Sequence, residues 1–197
     1  MEYDKNKKEI RIEKVLNELD KLVIEFIKIL EKYTDYVIIS GYVSILLGRS
    51  RATEDVDVFI KHISFETFYK LYNELKKEGF WCLNAEKPIE VFSYLKDGLA
   101  VRFAKEGGFT PNFEVKFPKR EIDKETFGDF ITVTLTDRNI NKKIKISSLE
   151  RHIAFKRYYL KSDKDIEDSY HIEELFKGEI DYSKVNKLKE IIDIIKN

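Results

Sequence analysis

Along residues 5–33 the apolar side chains fall at Ile12, Val15, Leu16, Leu19, Leu22, Val23, Phe26, Ile27 and Leu30. That three-and-four spacing predicts one long amphipathic helix covering a core. The β-branched run YVIIS at 36–40 is too short for a helix of its own and stops at Gly41, so a buried strand is expected there. YVSILLG then suits a short helix closed by Gly48, RSRATE a polar loop, and DVDVFI a second strand. In SFETFYKLYNELKKEGF, Ser64 is a fitting N-cap, Phe65, Phe68, Leu71, Tyr72 and Leu75 share one stripe, and Gly79 marks the stop.

Further strands are expected at 89–94, 99–104 and 112–117, followed by a hairpin-like pair at 129–136 and 141–146 around TDRNIN. After Ser147 the pattern changes to three helices with breaks near 162–163 and 178–181. Strand, helix, strand, helix opens an α+β (α/β) fold with a mixed sheet and flanking helices. The expected division is a sheet domain with its N-terminal helix over residues 1–146, and a helical region packed on it over 147–197. No internal repeat, low-complexity tract or flexible linker interrupts this order.

Composition narrows the function classes. A chain of 197 residues with 43% hydrophobic content can build one sizeable core. Its 36 basic and 36 acidic side chains cancel, so no global field draws it to nucleic acid or an anionic membrane, and such contact needs a local patch. Cys82 is the single cysteine and forms no zinc-ligand pattern with His62, His152 and His171, which suits a reducing, cytoplasmic setting. No apolar run approaches the roughly 18 residues of a membrane span, and the charged N-terminus is unlike a signal peptide. Trp81 and Cys82 are expected to pack in the core or sheet rather than to stack bases or attack a substrate.

The chemistry concentrates in DVDVFI. A strand repeats every two residues, so Asp55 and Asp57 share one face while Val56 and Val58 face the core. An isolated Asp-x-Asp is commonly just solvated, but Asp is a poor strand former and two side by side raise each other's pKa unless a cation intervenes. Mg²⁺ or Mn²⁺ suits such oxygens, taking one or two carboxylates and completing its shell with water and phosphate. Glu114 in NFEVKF is the favoured third carboxylate and Glu90 in IEVFS its competitor. Gly41, between strand and helix, lets backbone approach an anion closely, with Ser40 and Ser44 as added hydroxyl donors.

The stretch DYVIISGYVSILLGRSRATEDVDVFI resembles the nucleotidyltransferase fold of the DNA polymerase beta superfamily. More narrowly it is similar to the AbiEii/AbiGii toxin-like family, in which a Gly-Gly-Tyr turn precedes an Arg-x-Thr-x-Asp-x-Asp segment. Arg51, Thr53, Asp55 and Asp57 match that segment residue by residue. The tail SSLERHIAFKRYYLKSDKDIEDSYHI resembles the closing helices of the family, with Lys156 on one helix and Lys164 to Asp168 on the next. The resemblance implies transfer of a nucleoside monophosphate from an NTP, ATP among them, to an acceptor hydroxyl on RNA, tRNA included, or on protein. It also implies Mg²⁺ (or Mn²⁺) on Asp55, Asp57 and Glu114, contact of Arg51 and Lys156 with phosphates, completion of the site by Asp165, and an antitoxin protein as partner. Two departures stand out: Ser40 replaces the first glycine of the pair, and the loop before Asp55 carries Arg49 and Arg51 without a further glycine.

Plainer readings stand beside these. Lys156 could be an exposed helix lysine, or could pair with Asp165 or Asp168, with Ile166, Tyr170 and Leu175 marking the buried side of their helix. His152 on a polar helix face is expected to be solvated. A non-catalytic nucleotide- or RNA-binding relative and a small-molecule-modifying relative are the competing functions.

Overall fold

A computed structural model describes residues 1–138 and 140–196. The chain opens with an antiparallel pair, β1 (Glu2–Asp4) and β2 (Glu9–Glu13), and α1 (Glu18–Leu30) begins only afterwards. This corrects the single helix expected over 5–33. In EIRIE apolar and charged residues alternate at period two, which buries Ile10 and Ile12 against the core. Val15, which a continuous helix would have placed on its stripe, is 81% exposed. Asn17 then starts the helix through a capping box: its side chain accepts from the Asp20 amide at 2.8 Å, and Asp20 Oδ2 accepts from the Asn17 amide at 3.1 Å.

β3 (Tyr36–Ile39), α2 (Gly41–Leu46), β4 (Asp55–Ile60) and α3 (Phe65–Lys77) follow where the pattern places them, and Ser64 caps α3. The short strand β5 (Phe80–Cys82) comes next, and residues expected to form a strand at 89–94 are instead α4 (Pro88–Lys96). Proline pre-sets the first helical turn, and Val91, Phe92 and Leu95 bury at helical spacing. β6 (Val101–Lys105) and β7 (Asn112–Lys116) precede α5 (Glu121–Lys124), which runs into a 3₁₀ turn at Glu125–Phe127. β8 (Phe130–Asp137) and β9 (Ile140–Ser147) form the expected hairpin; Asn139 and the terminal Asn197 lie outside the described residues. α6 (Leu149–Ala154) continues as a π-helical turn at Phe155–Leu160, and α7 (Asp163–Leu175) and α8 (Tyr182–Lys196) complete the chain.

Among the described residues the strands form one mixed sheet in the order β1-β2-β8-β9-β3-β4-β7-β6-β5. Three neighbouring pairs, β2 with β8, β3 with β9 and β4 with β7, are parallel. One face carries Val56, Val58, Phe113 and Val115, all buried, and meets α1 through Phe26, whose ring stacks on Phe113 at 3.9 Å between centroids and 4° between planes. Phe80 closes on the same pair edge-on at 5.2 Å from Phe26. The other face carries Asp57 and Phe59 and looks across a cavity at α6 and its π turn. No described helix is long and apolar enough to cross a membrane.

Phe26 fastens α1 to the strand that carries Glu114, so Phe26→Ala is expected to cost about 3–5 kcal/mol of unfolding free energy. Denaturant titration of the variant against wild type measures it.

Candidate active site

The parallel register of β4 and β7 builds the acidic face. Asp57 lies opposite Glu114, Asp55 opposite Asn112, and Phe59 opposite Lys116. β6 runs antiparallel to β7 and sets Arg102 opposite Glu114. Because side chains alternate, Asp55, Asp57, Glu114, Lys116 and Arg102 all emerge on one side. Glu90 lies on the half-exposed start of α4 beside Lys87, away from this face, so Glu114 is the glutamate that neighbours Asp57.

Cations fill the gaps between the carboxylates. Lys116 Nζ lies 2.6 Å from Asp57 Oδ1 and 2.9 Å from Glu114 Oε2, and Arg102 Nε donates to Glu114 Oε1 at 2.7 Å. Burial pushes the Asp57 carboxyl above its ordinary range, and the lowering by Lys116 does not overcome it. Burial alone would raise Glu114 too, but the hydrogen bonds from Lys116 and Arg102 outweigh it and hold Glu114 below the usual range. Burial opposes charge on Lys116 as well, yet Asp57 and Glu114 keep its pKa raised, so its ammonium is charged.

No three described carboxylate, imidazole or thiol side chains converge closely enough to hold one ion by themselves. The Lys116 ammonium nevertheless marks a cation position between Asp57 and Glu114, and Asp55 adds a third set of hard oxygens along the same strand face. That donor chemistry fits Mg²⁺ or Mn²⁺, which needs only one or two protein carboxylates when phosphate oxygens complete the shell.

The turn after β3 faces this edge, because Ile39 pairs with Asp57. Ser40 has φ 62° and ψ −137°, a conformation that glycine adopts freely and a serine adopts under strain. At Gly41 a Cβ would sit 2.7 Å from Arg51 Nη2 and 3.4 Å from Thr53 Oγ1, so glycine is required for the Arg51 guanidinium to lie across the turn. Asp168 holds that guanidinium with two bonds, 3.1 Å from Nε to Oδ1 and 2.9 Å from Nη2 to Oδ2. Thr53 Oγ1 donates to the Asp55 carbonyl at 2.9 Å.

The helices answer with a buried charge network. Lys156 is 2% exposed rather than solvated, with Nζ 2.6 Å from Asp165 Oδ1 and 3.1 Å from Asp168 Oδ2. Both aspartates therefore pair with it. Burial would raise Asp168, but the hydrogen bonds from Arg51 and Lys156 outweigh it and hold its carboxyl below the usual range. In the same way Asp165 is held low by Lys156 and Ser162 against its burial. α7 thus turns its charged side inward: Asp165, Asp168, Ser169 and Ile172 are buried, while Tyr170 and Leu175, expected inside, are exposed. His152, expected to be solvated, is buried, with Nε2 2.9 Å from Ser44 Oγ. Burial, reinforced by the charge of Lys156, pushes its pKa down to about 3 and keeps it neutral.

Asp57, Lys116, Ser40, His152 and Lys156 line one part of a cavity of about 430 Å³, and Phe59, Phe117, Phe155 and Tyr159 supply apolar wall. Asp55 and Glu114 share the strand face of Asp57 but do not line the cavity. Lys116 and Arg102 are members of these clusters that the sequence reading did not select, and Asp168 entered it only as a possible partner of Lys156, not of Arg51. Lys116 follows Glu114 at period two in NFEVK, a spacing that could have found it; the other two gain meaning only from partners distant in sequence.

No family model and no curated protein matches the chain. Among solved structures it is similar to an antigenic nucleotidyltransferase-like protein from Paracoccidioides brasiliensis, at 22% identity and a TM-score of 0.55 over 91% of this chain and 88% of that one. It is also similar to ANT(2")-Ia in complex with adenylyl-2"-tobramycin, at 12% identity and a TM-score of 0.51 over 90% of this chain and 98% of that one. The chain has a nucleotidyltransferase-like fold. Both likenesses concern this broad fold, and the narrower AbiEii/AbiGii resemblance rests on the sequence motifs alone.

Two expectations follow from the buried groups of this fold. His152 titrates near 6.5 when unfolded and about 3 when folded, so the unfolded state binds more protons between those values and stability falls as pH drops through that window. From pH 6 to 5, above most carboxylate titration, the unfolding free energy should decline by roughly 1.2 kcal/mol from this group. His152→Gln should remove that slope in pH-dependent denaturant melts. Asp168→Ala strips Arg51 of both bonds and Lys156 of one, and should destabilise by about 3–5 kcal/mol in the same assay at pH 7.

Proposed function

We propose that this chain is a metal-dependent nucleotidyltransferase that moves a nucleoside monophosphate from an NTP to an acceptor hydroxyl and releases pyrophosphate. The observation that carries the reading is the register that sets Asp57 against Glu114, with Asp55 on the same face, beside the Gly41 turn and at the wall of a cavity. Asp55 and Asp57, backed by Glu114, would hold Mg²⁺ or Mn²⁺, and the bound ion would supply polarisation of the reacting phosphate.

The side chains of the chain have distinct tasks in this reading. The acceptor oxygen bonds to the α-phosphorus as the bond from that phosphorus to the bridging β-phosphate oxygen breaks, and the acceptor proton must leave. The carboxylates of this strand face, Asp57 at the cavity wall and Glu114 opposite it, are the groups placed to receive it. Ser40 and Gly41 form the phosphate-facing turn, Arg51 braces it from the following loop while held by Asp168, and Ser44 is tied to His152. Lys156 and Asp165 act as a fixed pair that sets the charge of the helical wall. Catalysis is then positioning plus charge neutralisation.

The AbiEii/AbiGii-like motifs favour an acceptor on RNA, tRNA included, or on protein, and a silencing antitoxin as partner. A small soluble acceptor is the second reading, favoured by the likeness to ANT(2")-Ia, whose structure holds adenylyl-2"-tobramycin, and by the cavity beside Asp57.

Incubation with each α-³²P-labelled NTP and Mg²⁺, with total RNA, protein extract or an aminoglycoside offered in turn, tests the proposal. Wild type should label one acceptor class, EDTA should abolish the label, and Asp57→Asn should lower it at least about 100-fold. Equal labelling by wild type and Asp57→Asn removes the enzymatic reading and leaves a non-catalytic binding relative.

A further inference from the structure

Lys116 sits where an acidic metal-binding face would be expected to be open. It follows Glu114 at period two on β7, which sends both to the same side of the sheet as Asp57. Its ammonium lies 2.6 Å from Asp57 Oδ1 and 2.9 Å from Glu114 Oε2. The remaining Glu114 oxygen accepts from Arg102 Nε and Nη2. Glu114 is therefore engaged through both oxygens, whereas the contact Lys116 makes with Asp57 is the one at the cavity wall, since Asp57 and Lys116 line the cavity and Glu114 and Arg102 do not.

A divalent ion placed on Asp57 would repel the Lys116 ammonium at this range, so the two share that carboxylate only if a counter-charge arrives. A polyphosphate is such a counter-charge. Lysine carries its charge as a compact point on a flexible four-carbon stem, and the cavity of about 430 Å³ lies in front of it. Lys156, by contrast, is bound to two aspartates from a helix packed behind it and is not placed to exchange partners.

We propose that Lys116 is a tethered cation that occupies Asp57 in the nucleotide-free protein and passes to a phosphate oxygen of the incoming nucleoside triphosphate as a divalent ion takes its place. This rests on the nucleotidyltransferase reading above and adds a regulation to it. Free divalent ion competes with an internal rival, while ion and nucleotide together displace it, so the two ligands bind with positive coupling beyond that of shared coordination.

The test is Mn²⁺ binding to the full chain, followed by the electron paramagnetic resonance signal of free Mn²⁺, with and without an α,β-methylene NTP analogue. Wild type, Lys116→Met and Lys116→Arg are compared after circular dichroism shows each to be folded, with Lys116→Gln replacing the Met variant should that one not fold. Without nucleotide, Lys116→Met should bind Mn²⁺ about tenfold or more tightly than wild type, and Lys116→Arg, which keeps the charge, should stay near wild type. Adding the analogue should tighten Mn²⁺ binding more in wild type than in Lys116→Met. Equal Mn²⁺ affinity of wild type and Lys116→Met without nucleotide, in proteins that do bind Mn²⁺ with the analogue, overturns the inference and leaves the transferase reading standing. Absence of Mn²⁺ and analogue binding in every protein overturns both.

Discussion

The pairing of β4 with β7 is the constraint on which the rest of the site depends. Its register is set from the far side of the sheet, where Val56, Val58, Phe113 and Val115 are buried and α1 packs through Phe26 on Phe113, each fully buried side chain contributing about 1.5–3 kcal/mol. A slip of one residue would turn those four side chains to the polar face and the carboxylates into the core, so apolar burial holds the acidic groups together against their own repulsion. Lys116 and Arg102 offset that repulsion from neighbouring positions on β7 and β6.

A second network ties the helical tail to the turn after β3. Asp168 of α7 holds Arg51 by two bonds, and Arg51 in turn covers Gly41, so the position of the turn is coupled to a helix more than a hundred residues away in sequence. Burying Asp165 and Asp168 costs desolvation that the Lys156 and Arg51 pairs must offset, and such pairs are weak sources of net stability. Their contribution is better understood as placement. Ser40, held at a positive φ between β3 and α2, is consistent with a turn whose geometry is imposed by its surroundings.

The same division explains what could be read from the sequence. YVII, DVDVFI and the Ser64-capped helix declare themselves through β-branched runs, period two and a cap, all local signals. The N-terminal hairpin was hidden because Ile12, Leu16 and Leu19 satisfy helical spacing even though EIRIE also alternates, and pairing with β1 and β8 decides between them. IEVFSY is rich in strand formers, but Pro88 and packing against α3 make it a helix. Burial of His152 and the Arg51 pairing of Asp168 were illegible for a different reason. Each polar group is buried because of a specific partner, Ser44 for His152 and Arg51 for Asp168, and no hydrophobic pattern announces a partner 108 or 117 positions away.

Two lysines on opposite walls of one cavity therefore have opposite physical characters. Lys156 is enclosed, doubly paired, and held by aspartates whose own pKa values are lowered, so moving its ammonium would leave buried carboxylates without their charge. Lys116 is less enclosed and borders the cavity, and one of its partners, Asp57, is a carboxylate that burial makes reluctant to stay charged. Glu114 loses less when Lys116 departs, because Arg102 remains on its other oxygen. The asymmetry makes Lys156 part of the frame and Lys116 the charge that can be exchanged, which is the arrangement a site needs if it is to admit a metal ion and a polyphosphate together while remaining charge-compensated without them.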